Sequence, residues 1–221
     1  MPNPSTPQVV ARHADGPHGE LVLRKVDDDY EIISNGVFLM DTRNGESERL
    51  LISAALDRLY GSDLAVLVGG LGVGFSLVEA LASPRVGAVT VVERLPAIID
   101  WHHGLLRGVS GGAVDDPRLA MIPDDLVAWL YATDQRYDAV CLDIDNGPHW
   151  TVVPENDRLY GEQSTRRLAE IVRPGGVLTV WGAEDSPEYR KRLAWHFGEA
   201  ITLKVEVPRG QPDVVFVAQR L

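Results

Sequence analysis

The sequence predicts an α/β protein whose core is a doubly wound, mostly parallel β-sheet. From residue 61 onward, five short apolar runs alternate with segments of helical periodicity, as expected when parallel strands are covered by helices on both faces. Two further apolar runs close the chain around a turn rich in proline and glycine, which predicts a terminal antiparallel pair. We therefore expect one sheet of seven strands, preceded by a small β unit.

The N-terminal β unit is predicted from three β-rich runs. These are ELVLRKV, YEIIS and VFLMD, and the last two are joined by Asn35-Gly36, a dipeptide that favours tight hairpin turns. A helix follows in ESERLLISAALDRL, where apolar residues recur at helical spacing. We assign residues 19–60 to this unit and residues 61–221 to the main domain. Residues 1–18, which begin with the proline-rich MPNPSTPQVV, are expected to be disordered.

The elements of the main domain follow one another in regular alternation. The predicted parallel strands are LAVLVGG, AVTVVE, RLAMI, YDAVCLD and GGVLTVW. The helices after them are predicted to begin at Phe75, Pro96, Asp124, Gly161 and Pro187. The closing pair is AITLKVEV and DVVFVAQR. In sheets of this kind the ligand lies beyond the carboxyl ends of the strands, where the strand order reverses. Candidate functional residues are therefore sought at those ends.

The composition excludes several classes of partner. A net charge of −11 with 21 basic residues argues against binding to nucleic acid or to an anionic membrane surface. A small-molecule ligand, and a cationic one in particular, suits this charge better. The single cysteine, Cys141, lies within an apolar strand and is expected to be buried. With neither a signal-peptide core nor a run long enough to span a membrane, we expect a cytoplasmic protein.

A glycine-rich turn follows the first parallel strand. The stretch LAVLVGGLGVGFSLVEAL places Gly69, Gly70, Gly72 and Gly74 between a strand and a helix. Glycines in such a turn let the charged or bulky part of a ligand lie against bare backbone. Their spacing differs from the dinucleotide fingerprint, so the turn alone does not identify the ligand.

Carboxylates end the next two strands. Glu93 comes 19 residues after Gly74, where a carboxylate commonly accepts hydrogen bonds from both hydroxyls of a ribose; the alternative is a solvated strand end. Asp124 and Asp125 follow the third strand. Either could cap the next helix, and one could instead accept a hydrogen bond from an adenine amino group.

The fourth strand ends in the candidate catalytic residues Asp143 and Asp145. Paired carboxylates at this position can bind and deprotonate an amine, although turn formation is the alternative. No third hard ligand accompanies them at suitable spacing, so no metal site is expected. His149, in the following loop, could shuttle protons or lie on the surface, while His102 is expected only to interact with a helix C-terminus.

In order and spacing these motifs resemble the spermidine synthase branch of the S-adenosylmethionine-dependent methyltransferase superfamily. The resemblance covers nearly all of residues 19–220 and implies a Rossmann-like methyltransferase fold. It implies that the glycines admit the amino-acid end of S-adenosylmethionine or decarboxylated S-adenosylmethionine, with Glu93 on the ribose and Asp125 on the adenine. It also implies that the N-terminal β unit helps cover the site and that the protein forms a homodimer.

The sequence departs from this family at three places. Val73 stands where aminopropyltransferases carry an aspartate that receives the amine of decarboxylated S-adenosylmethionine. A tyrosine-histidine pair that helps hold the acceptor amine is replaced within GESERLLIS, and an Asp-x-x-Asp stretch is shortened to Asp143-Ile-Asp145. These departures predict a preference for intact S-adenosylmethionine.

Four functions follow as hypotheses. The first is a transferase that uses intact S-adenosylmethionine, with Asp143 orienting or deprotonating an amine or hydroxyl nucleophile. The second is a divergent spermidine synthase that uses decarboxylated S-adenosylmethionine and putrescine. The third is an intramolecular cyclisation of S-adenosylmethionine, and the fourth is a non-catalytic nucleoside-binding protein. Val73 argues against the second, and the retained carboxylates argue against the fourth.

Overall fold

A four-stranded antiparallel sheet forms the N-terminal unit. The computed structural model describes residues 6–16, 19–148, 151, 154–207 and 211–221. The strands of this first sheet are β1 (Gln8–Gly16), β2 (Gly19–Val26), β3 (Asp29–Ser34) and β4 (Val37–Asp41), paired in chain order. The three predicted strands are present, with Asn35 and Gly36 in left-handed conformations between β3 and β4.

The strand β1 corrects the expectation that residues 1–18 are disordered. Residues 8–16 of that segment pair with β2 through an irregular register that shifts between Val9 and Ala11. The segment carries charged residues and lacks a regular apolar alternation, so its own sequence does not predict a strand. Pairing with the exposed edge of β2 supplies its hydrogen bonds instead.

The main domain is built on a seven-stranded sheet, as predicted. Its strands are β5 (Leu64–Gly69), β6 (Val86–Glu93), β7 (Leu119–Pro123), β8 (Tyr137–Leu142), β9 (Val172–Gly182), β10 (Gly198–Val205) and β11 (Asp213–Arg220). They lie in the order β10-β11-β9-β8-β5-β6-β7. The pairs formed among the strands β5 to β9 are all parallel. Strand β11, in contrast, pairs antiparallel with both β9 and β10.

Six α-helices surround this sheet among the described residues. They are α1 (Glu46–Leu56), α2 (Phe75–Ala82), α3 (Pro96–His103), α4 (Leu126–Ala132), α5 (Glu162–Ile171) and α6 (Pro187–Phe197). Short 3-10 turns at Ala113–Asp115 and Pro154–Tyr160 were not predicted. The helix predicted from Asp124 begins at Leu126, because Asp125 caps it by accepting a hydrogen bond from Ala128 N at 3.0 Å.

The two faces of the sheet bury separate groups of side chains. Val66 and Val68 point to the face that is covered by α1, α2, α3 and the N-terminal sheet. Leu67 points to the opposite face, against α4, α5 and α6. Because both faces are covered, the parallel strands are apolar at most positions, which explains the continuous apolar runs. No helix in the described part of the chain is long and apolar enough to cross a membrane.

Helix α1 is anchored between the two sheets. The Thr179 hydroxyl donates a buried hydrogen bond of 2.8 Å to Leu51 O, and the Arg85 guanidinium binds the carbonyls of Leu56 and Leu59 at 2.6 and 2.7 Å. Gly45 caps the helix against Phe75, leaving no space for a Cβ atom because one would lie 2.3 Å from that ring. The contact of Gly45 with Phe75 places the start of α1 beside the start of α2, and the other contacts hold the rest of the helix.

The strand order reverses between β5 and β8. The chain runs from β5 outward to β6 and β7, then returns to place β8 on the other side of β5. At this point Asp143 N donates to Gly69 O at 2.9 Å, so the glycine turn and the candidate catalytic strand end meet. The switch-point rule places the ligand here.

Candidate active site

A cavity of about 190 Å³ opens at the strand-order reversal. Strands β3 and β4 contribute Ile32, Ser34, Leu39 and Met40 to its wall, so the N-terminal unit covers the site as the family resemblance implied. Its ionisable lining residues are predominantly acidic: Glu48, Glu93, Asp125, Asp143 and Asp145, with Arg94 as the basic residue. This lining favours a cationic ligand.

The glycine turn forms the floor of the cavity. Gly70 and Gly72 line it, both with positive φ. A Cβ at Gly70 would lie 2.3 Å from Asp143 O, and a Cβ at Gly72 would lie 2.4 Å from Met40 Sδ. Glycine is therefore required for close approach to two neighbouring segments as well as for backbone conformation. Gly74, in contrast, caps α2 and faces His102 rather than the cavity.

Glu93 is buried at the carboxyl end of β6, with 6% of its surface exposed. Its two carboxylate oxygens accept hydrogen bonds from Leu71 N at 2.8 Å and Leu95 N at 2.7 Å. Burial raises the pKa of Glu93, and these backbone donors oppose the rise. Because each carboxylate oxygen can accept more than one hydrogen bond, Glu93 keeps capacity for ribose hydroxyls. It also holds the glycine turn in place.

The structure distinguishes Asp124 from Asp125. Asp125 lines the cavity while capping α4, so the two roles considered for it are compatible. Asp124 is exposed and accepts a hydrogen bond from Asp125 N at 2.8 Å. It is absent from the cavity wall, and Asp125 is therefore the better candidate for the adenine contact.

Asp143 lies beside a second carboxyl group that sequence analysis did not single out. Ser76 Oγ lies 3.3 Å from Asp143 Oδ2 and 3.3 Å from the backbone carbonyl of Glu48. Burial, then the nearby charge of Glu48, raises the pKa of Asp143 to about 8, with Asp213 adding to the rise. Asp143 can therefore both accept and release a proton near neutral pH.

Glu48 lies in the first turn of α1 and interacts electrostatically with both Asp143 and Asp213. Ser47 Oγ is 3.0 Å from Glu48 Oε2 and 3.0 Å from Asp213 Oδ2. Burial raises the pKa of Glu48, and Asp213 adds to the rise, while Ser47 and the neighbouring Arg49 oppose it. Asp213 itself, whose pKa is also raised by burial, does not line the cavity.

Asp145 lines the cavity in a constrained turn. Its backbone is left-handed, with φ of 58°. Its carboxylate accepts hydrogen bonds from Asn146 N at 2.8 Å and from Asn156 Nδ2 at 2.9 Å. Turn formation, the alternative considered for this residue, is therefore present in the structure. The predicted residue His149 lies outside the described residues.

Val73, which the resemblance placed where aminopropyltransferases carry an aspartate, does not line the cavity. It is fully buried, at 0% exposure, in the apolar group beneath the sheet, and it is absent from the cavity wall. Valine at residue 73 therefore does not place an apolar side chain against the ligand. Instead, α1 brings the carboxylate of Glu48 to the cavity.

Three features of the site escaped sequence reasoning. Glu48 was treated only as part of a segment that lacks the family's tyrosine-histidine pair. Its acidic side chain at the start of the predicted helix that precedes the first parallel strand was the available signal. The packing of Met40 on Gly72 and the contact of His102 with the glycine turn depend on the tertiary fold. Among the described residues, no group of histidine, cysteine and acidic side chains is arranged to hold a metal ion.

Comparisons with known proteins agree with this architecture. Residues 54–202 match the model of the spermine/spermidine synthase domain. The polyamine aminopropyltransferase of Mycobacterium tuberculosis is 28% identical over 177 residues, which cover 79% of this chain and 32% of that protein. The enzyme of the same name from Corynebacterium efficiens is 29% identical over 196 residues, which cover 85% of this chain and 36% of that one.

Solved structures share the fold. The spermidine synthase of Thermotoga maritima matches with a TM-score of 0.78 at 17% identity, covering 96% of this chain and 73% of that one. A spermidine synthase in complex with the transition-state analogue AdoDATO matches with a TM-score of 0.77 at 17% identity, covering 96% and 72%. The chain spans about a third of the length of the curated relatives, at 32% and 36% of the two above. Because the spermine/spermidine synthase domain model matches more than half of its residues, the chain belongs to the spermine/spermidine synthase family.

Proposed function

We propose that this chain is an aminopropyltransferase that moves the aminopropyl group of decarboxylated S-adenosylmethionine to a primary amine. The observation that carries the proposal is the acidic cavity at the strand-order reversal. Both substrates would be cations, since the nucleoside carries a sulfonium and an ammonium group and the acceptor carries at least one ammonium group. The names of the curated relatives, polyamine aminopropyltransferases, support the same reaction class.

The nucleoside half of the cavity would be formed by β6, the glycine turn and α4. Glu93 would accept hydrogen bonds from the ribose hydroxyls, and Asp125 would accept one from the adenine amino group. Gly70 and Gly72 would let the sulfonium arm pass close to the backbone. The arm would then point toward Asp143 and Glu48, which line the far side of the same cavity.

The acceptor half would use the pair of carboxyls. The amine nitrogen attacks the carbon next to sulfur, the carbon–sulfur bond breaks, and its electron pair leaves with the thioether 5′-methylthioadenosine. Asp143 would take the proton that the nitrogen loses, for which a pKa of about 8 is well matched. Glu48 would provide negative charge for an ammonium group. Because the sulfonium is already activated, alignment of the two substrates supplies much of the remaining rate.

A second candidate is transfer from intact S-adenosylmethionine to an amine or hydroxyl group. It is favoured by the glycine turn itself, which carries no carboxylate because residue 73 is a valine. The burial of Val73 also weakens the argument from sequence against aminopropyl transfer, since the residue faces away from the ligand. Glu48 offers a carboxylate in its place.

Product analysis tests these alternatives. The protein is incubated with intact or decarboxylated S-adenosylmethionine, with and without putrescine, and the products are identified by mass spectrometry. We expect 5′-methylthioadenosine together with an aminopropylated amine only when the decarboxylated nucleoside and putrescine are both present. Methylated product from intact S-adenosylmethionine would favour the second candidate, and a product formed without any acceptor would favour intramolecular cyclisation. No binding of either nucleoside would contradict all three.

A further inference from the structure

We propose that His102 is a positioning residue for nucleoside binding, because it holds the glycine turn from beneath. The inference rests on the proposed function in one respect, namely that the ligand of the turn is an adenosyl nucleoside. His102 lies at the last turn of α3, on the side of the glycine turn away from the cavity. It does not line the cavity, so its effect on binding would pass through the backbone of the turn.

The hydrogen bond to the turn fixes the tautomer of His102. Its Nε2 lies 2.9 Å from Gly72 O. A carbonyl oxygen only accepts, so Nε2 must carry the hydrogen, and in the neutral ring Nδ1 is then unprotonated. The side chain is fully buried, and Nδ1 has no hydrogen-bond partner in the described part of the chain. The Gly72 carbonyl is therefore the hydrogen-bond contact of this ring.

A second contact places His102 against the end of the turn. A Cβ at Gly74 would lie 2.8 Å from His102 Cε1, so the ring fills the space that a side chain at residue 74 would need. Glu93 binds the same turn from the other direction through Leu71 N. The backbone between Gly70 and Gly74 is thus held by a carboxylate at its start and an imidazole at its end.

Because Nδ1 has no partner within the described ranges, the advantage of a histidine here over an apolar residue lies in the hydrogen bond from Nε2 to Gly72 O. A buried acceptor without a hydrogen bond costs free energy, and an apolar side chain of similar size would avoid that cost. Burial lowers the pKa of His102, the hydrogen bond to the Gly72 carbonyl opposes the decrease, and the adjacent His103 adds to it, so the net shift favours the neutral ring. Among the described residues, no acidic side chain forms a salt bridge with His102, whereas His103 and His196 each have an acidic partner.

Two amide substitutions separate a positioning role from a purely structural one. In His102→Gln the amide nitrogen can reach the place of Nε2 and donate to Gly72 O. In His102→Asn the shorter side chain cannot, although it is equally polar. We expect His102→Asn to weaken binding of 5′-methylthioadenosine by about tenfold, and His102→Gln to restore most of the loss. The exposed neighbour offers a matched control, His103→Asn, which should bind like the wild type.

Calorimetry on each folded variant, with unfolding midpoints measured in parallel, supplies the test. In steady-state assays we expect the KM for the nucleoside to rise in His102→Asn while kcat stays within about twofold. Equal affinity of His102→Asn and the wild type would overturn the inference and leave the proposed function standing. Failure of the wild type to bind any adenosyl nucleoside would overturn both. If His102→Asn does not fold, His102→Gln is compared with His102→Leu. Weaker nucleoside binding by the leucine variant supports the inference, and equal binding overturns it.

Discussion

Asp143 occupies a position at which the fold opposes its ionisation. Burial and the carboxyls of Glu48 and Asp213 all raise its pKa. An incoming ammonium group would reverse the balance, since a positive charge favours the carboxylate. The free site would then hold a proton on this carboxyl group, and amine binding would release it. Such a group suits a reaction in which the nucleophile must enter as a cation and attack as a neutral amine.

Replacement of Asp143 by asparagine tests its role as proton acceptor. Asparagine keeps the shape and one acceptor oxygen but cannot take the proton. We expect Asp143→Asn to lower turnover by about 10²- to 10⁴-fold while the affinity for 5′-methylthioadenosine stays nearly unchanged. Product formation and nucleoside binding are measured on the same preparation. Asp145→Asn is the comparison and should cost less, because Asn146 and Asn156 already occupy its carboxylate. Near-wild-type turnover of Asp143→Asn would rule out this base.

Glu48 should control both the basicity of Asp143 and the affinity for the amine. Its charge raises the pKa of Asp143, so Glu48→Gln should lower that pKa. Activity that depends on ionised Asp143 is lost as the pH falls, so this acidic limb of the pH–rate profile should move to lower pH. The KM for putrescine should rise by about tenfold, as expected for the loss of a charged hydrogen-bonding partner.

The same helix provides a control for Glu48. Glu46 is also in the first turn of α1 but is exposed, and it is absent from the cavity wall. Glu46→Gln should leave the pH–rate profile and the KM for putrescine unchanged. If Glu48→Gln behaves in the same way as Glu46→Gln, the two-carboxyl description of the acceptor site is wrong.

At the scale of elements, the glycine turn is held by its neighbours rather than by its own sequence alone. Glu93 binds Leu71 N, β4 brings Met40 against Gly72, and β8 brings the backbone of Asp143 against Gly70. The turn therefore depends on β6, β4 and β8 together. A substitution in any of these contacts would alter the nucleoside site and the local stability at once.

Two substitutions of Glu93 separate these effects. Alanine removes the ribose contact and the acceptors of Leu71 N and Leu95 N, so Glu93→Ala should lose both stability and about 1.5–3 kcal/mol of nucleoside binding. Glutamine keeps one carbonyl acceptor, and Glu93→Gln should recover part of each. Chemical denaturation measures the first quantity and calorimetry the second. A folded Glu93→Ala protein with wild-type nucleoside affinity would exclude Glu93 as the ribose ligand.

At the scale of the whole molecule, the sequence was sufficient for the main sheet. Continuous apolar runs such as Leu64–Gly69 and Tyr137–Leu142 predicted strands buried on both faces, and the structure confirms them. The strand-end position of Asp143 and Glu93 followed from the same pattern, because carboxyl ends of parallel strands meet at one edge. The strand β1 could not be predicted, since its pairing with β2 and not its own pattern stabilises it.

The remaining features depend on how elements pack against one another. Glu48 reaches the cavity through the placement of α1, which Thr179 and Arg85 bind at its middle and end and which Ser76 contacts at the Glu48 carbonyl. The side chain of Val73 packs in the core, and the sequence does not reveal this direction. Replacing Val73 with aspartate would therefore bury a carboxylate among apolar side chains.

The acidic character of the cavity leads to a prediction about the choice of nucleoside. Intact S-adenosylmethionine differs from the decarboxylated form by one carboxylate at the end of the sulfonium arm. If the arm points toward Asp143 and Glu48, that carboxylate meets the negative charge of Glu48, whereas the decarboxylated arm presents only ammonium. We expect the wild type to bind the decarboxylated nucleoside at least about tenfold more tightly than the intact one, in a competition assay against 5′-methylthioadenosine. Glu48→Gln should reduce this ratio, and Glu46→Gln should not. A wild-type preference for intact S-adenosylmethionine would instead place the arm away from the two carboxyls and return methyl transfer to first place.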